Sequence, residues 1–273
     1  MRKWLARGAK SQEHGEYLRK ERLKNITVHF MQLLLLLTLI GGWEWGARTR
    51  TIDPFLFSSP SRIYSLFLEM SASGDLFYHM GVTSLETITG FILGTCGGIF
   101  LATLIWWSPF LARVLDPYLV IANSMPKVAL GPLFIVTMGA GFLSIVAMAV
   151  AITIIITTLV IYTRFQSTPQ QPIQLAKSLG ASRLTIFRLI IFPHAVPDMI
   201  STLKVNVGLA WVGVIVGEFL VSESGLGHLM IYGFQVFHLS LVMLSLILVA
   251  ILATIMYQAI AWLENRLQHH QSK

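Results

Sequence analysis

Few residues in this chain have side chains suited to chemistry, and most of those sit among apolar neighbours. Lys127, Asn206 and Glu218 each interrupt a long hydrophobic stretch, with Asn123 and Pro126 beside Lys127. A lysine, an amide and a carboxylate dispersed in this way suit transient contact with a polar solute better than bond cleavage. An ionisable group at membrane depth must face water, a partner or the polar interface. For Lys127 the competing reading is a side chain snorkelling to the membrane edge. The usual catalytic patterns are missing. The sequence holds no Gly-x-x-x-x-Gly-Lys-Ser/Thr phosphate loop, no His-Glu-x-x-His and no Gly-x-Ser-x-Gly. Cys96 is the single cysteine, which leaves no intrachain disulfide and no cysteine metal cage. It reads as a small apolar residue of a buried helix. His228 and His238 read as surface or interfacial histidines. No cofactor and no metal site is expected, and the chain is not expected to be an enzyme.

The elements that carry these residues are set by composition. Hydrophobic residues make up 55% of the 273 and charged residues only 12%, against about 25% charged in soluble domains. Lipid is therefore the solvent for much of the surface. Six stretches are long and apolar enough to span a bilayer: 26–46, 81–106, 114–139, 142–163, 197–220 and 240–263. A basic leader, 1–25, precedes the first. The leader is too long for a secretory signal, and Trp43, Glu44 and Trp45 stand where small cleavage residues would be, so the first span is retained. Residues 47–80 form an extracytoplasmic segment, 81–266 the core and 267–273 a tail. With the leader in the cytoplasm, fifteen lysines and arginines fall inside. Only Arg48, Arg50 and Arg62 fall outside, a strong positive-inside bias that places both termini in the cytoplasm. The net charge of +7 is thus a topology signal with anionic-lipid contacts, and nucleic acid is not expected as a partner.

Spacing within the spans speaks of close packing. Glu86, Gly90, Gly94, Gly98 and Ala102 recur every four residues and share one helix face, which admits a neighbouring helix. Glu86 lies near the membrane boundary, where water can solvate it. The third span is interrupted by Pro117, Pro126 and Pro132, which bend it and expose backbone that must line a cavity or be buried in protein. The fifth carries Lys204, read as snorkelling, with Asn206 and Glu218. The third and fifth spans are expected to line a path, with Asn123, Pro126, Lys127, Asn206 and Glu218 nearest to it. Outside the spans, Ser59-Pro60 opens a short interfacial helix with Ser as cap and Pro in the first turn. Ile63, Leu66, Phe67 and Met70 give it one apolar face, and Gly74 ends it.

The most informative segment is the cytoplasmic loop at about 167–193. A short helix opened by Pro172 is stopped at Gly180, and a second is expected from Ser182 to Ile191. Glycine accepts the left-handed conformation that ends a helix. The resulting elbow could hand motion from a soluble partner to the spans. This segment resembles the EAA loop of ABC importer permeases, whose pattern is Glu-Ala-Ala, three residues, Gly, nine residues, Ile, one residue, Leu-Pro. Ala176, Gly180, Ile190 and Pro193 match at that spacing, while Gln174, Leu175 and Phe192 depart from it. The resemblance covers residues 53–266. Pro60 to Ile63, Ser124 to Phe134, Leu179 to Ser182, Pro193 to Pro197, Gly217-Glu218 and Gly225 to Gly227 look like stretches of the nitrate, sulfonate and taurine-type subfamily, which includes carriers of thiamine-pyrimidine precursors.

The resemblance implies an all-α membrane protein with six transmembrane helices and the type I ABC importer permease architecture, in the plasma membrane of a prokaryote. It implies a second permease copy, forming a homodimer around one path. It also implies separate ABC ATPase subunits that receive the 167–193 loop, and an extracytoplasmic solute-binding protein. The ATPase-coupling residues are then Gln174, Leu175, Ala176, Lys177, Ser178, Leu179, Gly180, Ala181, Ser182, Ile190 and Pro193. The alternative from the residues alone is a secondary transporter or channel, which would need no ATPase. An intramembrane enzyme would need a nucleophile with its base, or a metal pair, at mid-depth.

Overall fold

Lipid offers the backbone no hydrogen bonds, so a chain crossing it as separate segments must close its bonds within helices. The computed structural model describes residues 12–271, and every regular element among them is helical. The leader's Arg2, Lys3, Arg7 and Lys10 and the tail's Lys273 lie outside the described residues. The chain divides into two units, Met1–Leu66 and Phe67–Lys273.

In the first unit, helix α1 (Gln12–Arg48) joins the latter part of the basic leader to the first span. Leu33, Leu34, Leu35, Leu36 and Leu37 all point outward, as lipid-facing side chains do. A tight loop follows, tied back by Ile52 N–H to the Gly46 carbonyl at 3.0 Å. Helix α2 begins at Pro60. Its first turn is capped from a distance: the Glu44 carboxylate accepts from Ser61 N–H and from Ser61 Oγ, both at 3.0 Å. Arg48 Nε donates to the same carboxylate at 2.7 Å. Ser59, expected as the cap, accepts from Arg62 N–H at 3.4 Å. Helix α2 (Pro60–Ser73) ends at Gly74, whose φ of 85° favours glycine.

The second unit is a bundle. Helices α3 (Asp75–Trp107), α6 (Phe142–Gln166) and α10 (Leu239–Gln271) contain the second, fourth and sixth expected spans. The third span is not one helix. Helix α4 (Pro109–Ser124) and the segment Lys127–Met138, which ends in α5 (Gly131–Met138), meet at 96° across Met125-Pro126. Pro126 cannot continue the hydrogen-bond ladder, and Met125 adopts the extended backbone favoured before a proline. Pro117, by contrast, stays inside α4. Helix α8 (Arg183–Val221) is continuous, so the second elbow helix and the fifth span are a single element. The fusion depends on a π turn at Phe187–Ile191, where Phe192 N–H reaches back five residues to the Phe187 carbonyl. The wider turn accommodates Pro193, which has no N–H and whose ring would clash in a regular turn. Helices α7 (Gln170–Ser178) and α9 (Leu226–Gln235) are short.

Glycine sets the spacing of this bundle. The face of α3 holding Glu86, Gly90, Gly94, Gly98 and Ala102 is buried, and it is packed on α6. A Cβ added at Gly90 would lie 2.5 Å from Ala149 Cβ, and one at Gly98 would lie 2.9 Å from the Ile154 carbonyl oxygen. On its other side α6 meets α8, where a Cβ at Gly213 would fall 2.6 Å from Ala149 Cα and one at Gly217 3.1 Å from Ile145 Cα. Ala149 is therefore held between Gly90 and Gly213. Two residues differ from what the sequence suggests. Cys96 is exposed, because two residues on from Gly94 the helix has turned its other face outward. Lys204 does not snorkel freely: its Nζ pairs with Glu264 at 2.5 Å and ties α8 to α10.

Gly213→Ala should lower the stability of the purified protein by about 1–3 kcal/mol, as overpacking does. Gly208→Ala, whose Cβ would meet nothing within 4 Å, should leave stability unchanged. Thermal melts in one detergent compare the two, and equal melting temperatures would contradict glycine-limited packing.

Candidate functional site

The elbow is built from local backbone chemistry. Helix α7 tolerates Pro172 because it lies in the first turn, where N–H groups have no intrahelical partner. Its far end closes in a Schellman motif: Ala181 N–H donates to the Ala176 carbonyl at 2.9 Å, and Gly180 N–H to the Lys177 carbonyl at 3.0 Å. Gly180 has φ of 78°, a conformation that costs a side-chain-bearing residue roughly 1 kcal/mol. Ser182 then caps α8, its Oγ accepting from Thr185 N–H at 3.1 Å. A helix stop, a two-residue hinge and a helix start follow one another from Ser178 to Arg183.

The elbow has an inner and an outer face. Ile173, Ala176 and Ala181 pack on a core of Ile105, Ile161, Phe165, Ile186 and Ile191, drawn from α3, α6 and α8. Gln174, Lys177, Ser178, Gly180 and Ser182 are exposed. So are Leu175 and Leu179, at 64% and 79% exposure, one helical turn apart. Ile190 is half-buried and Pro193 exposed in α8. A cavity of 590 Å³ lies behind the elbow, lined by Trp106, Phe165, Lys177 and Arg183 among others.

One residue that the sequence did not single out fixes the elbow to the bundle. The Arg183 guanidinium donates to the Trp106 carbonyl at 3.1 Å and lies over the Trp106 and Trp107 rings, 5.2 Å and 5.6 Å from their centroids. It thus meets the carbonyl end of α3, where the helix dipole favours a cation. Phe187 packs against the same Trp106 ring. The available signal was a basic residue in the elbow and a Trp pair at the end of a span, 77 residues apart. Nearby, Arg164 pairs with Asp198 at 2.7 Å and joins α6 to α8.

The residues expected along a path separate into two groups. Asn123 and Pro126 are exposed at the bend, and Lys127 is half-buried there, with Nζ donating to the Asn123 carbonyl at 2.8 Å. Asn206 and Glu218 are elsewhere, inside the bundle, at 0% and 1% exposure. Asn206 Nδ2 donates to Thr95 Oγ1 at 2.8 Å and to Thr157 Oγ1 at 2.7 Å, clamping α8 to α3 and α6. Glu218 accepts from Thr83 Oγ1 at 2.7 Å and from Gly227 N–H at 2.5 Å. Thr83 Oγ1 in turn accepts from Leu226 N–H at 2.7 Å. Gly225 and Gly227 permit this approach, since a Cβ on either would collide with the Glu218 side chain. Glu86, expected in water, is buried on the α3 face that packs on α6. His228 is also part of the fold, with Nδ1 bonded to the Ser222 carbonyl at 2.8 Å and its ring stacked on His79.

Arg183→Ala should loosen the elbow without unfolding the bundle. Limited proteolysis at Lys177 should accelerate several-fold over wild type, while Arg188→Ala should cleave at the wild-type rate. Equal protection of the Arg183 variant would remove the anchor from this account.

Comparison with known proteins identifies the family. The sequence profile described as "Binding-protein-dependent transport system inner membrane component" matches residues 94–269. A probable ABC transporter permease protein of Haemophilus influenzae is 32% identical over 235 residues, covering 86% of this chain and 95% of that protein. A formylaminopyrimidine transport permease protein of Halalkalibacterium halodurans is 31% identical over 202 residues, covering 74% of this chain and 78% of that protein. A solved structure of the MetNI methionine ABC transporter, in an inward-facing conformation, is alike in fold, with a TM-score of 0.61 at 17% identity over 70% of this chain and 95% of that one. The chain belongs to the family of binding-protein-dependent transport system inner membrane components, the membrane-spanning permease subunits of ABC transporters.

Proposed function

We propose that this permease imports a small polar solute and takes its energy from separate ATPase subunits docked on the elbow at 167–193. The observation that carries the reading is the outer face of α7. Leu175 and Leu179 stand in water on a segment whose backbone is fixed by Gly180 and whose inner face is already packed. Burying one such side chain in a partner's groove contributes about 1.5–3 kcal/mol. Ala176, Gly180, Ile190 and Pro193, which fit the coupling pattern, lie in or directly beyond that elbow. ATP is hydrolysed in the partner, because this sequence has no phosphate loop of its own.

In the assembly we propose, two copies of the chain enclose one path in the plasma membrane, and a solute-binding protein delivers from the outer side. Exposed apolar residues on α4 and α5, among them Phe110, Tyr118, Ile121, Leu133 and Val136, support a neighbour or lipid on that face. Asn123, Pro126 and Lys127 supply the polar, irregular backbone at the bend that suits the path wall. Asn206 and Glu218 act as inter-helix ties that keep the moving helices in register. Closure of the ATPases draws the elbows together, and each elbow pulls α3 through Arg183 and α8 through the continuous backbone. The solute falls in the small organic or oxyanionic class suggested by the subfamily resemblance. Its identity is selected largely by the binding protein.

In a gentle affinity purification from native membranes, the wild-type chain should bring down an ATPase carrying a phosphate loop. Leu175→Glu combined with Leu179→Glu should lose it at least tenfold, at equal membrane abundance. Retention of the ATPase by the double variant would remove the elbow's outer face as the docking surface.

A further inference from the structure

The charge rule that fixes the topology also isolates an exception. Arg48, Arg50 and Arg62 are the cations left on the outer side, where the bias disfavours them. All three converge on one loop of the first unit. They line a cavity of 280 Å³ together with Glu44, Pro54, Ser59 and Ser61. Arg50 and Arg62 also line an adjoining cavity of 480 Å³ with Asp53, Pro54 and Phe55. The two cavities share Arg50, Pro54 and Arg62 in their lining, so they adjoin in one cleft lined by both arginines.

The carboxylates in this cleft are already engaged. Glu44 accepts from Arg48 Nε and from Ser61 N–H and Oγ. Asp53 Oδ1 accepts from Phe55 N–H at 2.8 Å. Arg62 spends one donor, Nη1, on the Pro54 carbonyl at 3.2 Å, which positions its fork and leaves four N–H groups. Arg50 makes no side-chain hydrogen bond or ion pair among the described residues, and it is held at φ of 58°. Three cations thus face two carboxylates, and one guanidinium is uncommitted. Guanidinium groups arranged in this way suit a tetrahedral oxyanion, which they grip by paired N–H donors.

The surroundings indicate where the oxyanion comes from. Arg48 is the last residue of the first span, so the loop sits at headgroup height. Trp45, Phe55, Leu56 and Phe57 are all exposed around it, the type of residues found at a membrane–water interface. We propose that Arg50 and Arg62, assisted by Arg48, hold the phosphate of an outer-leaflet phospholipid, with Phe55 and Phe57 against its glycerol and upper acyl region. The site is separate from the elbow and does not depend on the solute assignment.

The test uses the full-length chain with its co-purifying subunits, delipidated in a neutral detergent and titrated with phosphatidylglycerol while retained lipid is counted by native mass spectrometry. Arg50→Gln should weaken retention about tenfold, the effect of losing one charge-assisted contact. It removes no hydrogen bond within the chain, so folding is preserved. Arg50→Lys should recover part of the loss, and Arg113→Gln, on the cytoplasmic side, should bind as wild type. Equal retention by wild type and Arg50→Gln overturns the proposal. A parallel titration with inorganic phosphate separates the sources. Weak competition supports the lipid, whereas displacement at the lipid's own affinity rejects the lipid and makes the ligand a soluble oxyanion.

Discussion

Everything in the bundle depends on how closely α6 is gripped. Ala149 meets Gly90 on one side and Gly213 on the other, and neither contact leaves room for a methyl group. In lipid the hydrophobic effect does little to draw helices together, so close backbone approach and hydrogen bonding must hold them. The buried polar ties follow from that approach. Asn206 reaches both Thr95 and Thr157 because α3, α6 and α8 are within one amide's reach. Glu218 reaches Gly227 because that residue and Gly225 have no side chains in the way. These contacts tie α3, α6 and α8 to one another at several points along their length.

In the function proposed above, the elbow needs a firm connection to these helices. A flexible loop would absorb displacement, whereas α7, the Schellman closure at Gly180 and the Ser182 cap leave little slack. Arg183 meets the carbonyl end of α3, and the π turn carries α8 past Pro193 without a break. The elbow is therefore tied to α3 by a polar contact and to α8 by the backbone, and its inner face packs on all three gripped helices. The bend at Pro126 lies outside this grip.

Much of this was legible in the sequence because period and composition report local physics. The four-residue repeat from Glu86 to Ala102 announced a packing face, and Gly180 announced a helix stop. The third apolar stretch announced its own break through Pro126. Long-range pairings were not legible. Lys204 with Glu264, Arg183 with Trp106, and Glu218 with Thr83 join residues 60, 77 and 135 positions apart, and nothing local marks them. Asn206 and Glu218, expected along the path, are buried and partnered within the bundle, and nothing local marks that either. Polarity within a span signals that a residue needs a partner, but it does not say whether the partner is water or another helix. The second elbow helix and the fifth span, expected as separate elements, are one helix because a π turn absorbs Pro193.

The central claim is that a partner's ATP hydrolysis, received through the elbow, drives solute through this chain. The most direct measurement is solute accumulation in proteoliposomes containing this permease and its co-purifying ATPase. The cognate binding protein and its labelled ligand are supplied outside and nucleotide is enclosed within. Accumulation against a gradient with enclosed ATP, and none with a non-hydrolysable analogue, is the predicted result. Accumulation by the permease alone, driven by an ion gradient without nucleotide, would contradict the account and make this chain a secondary transporter.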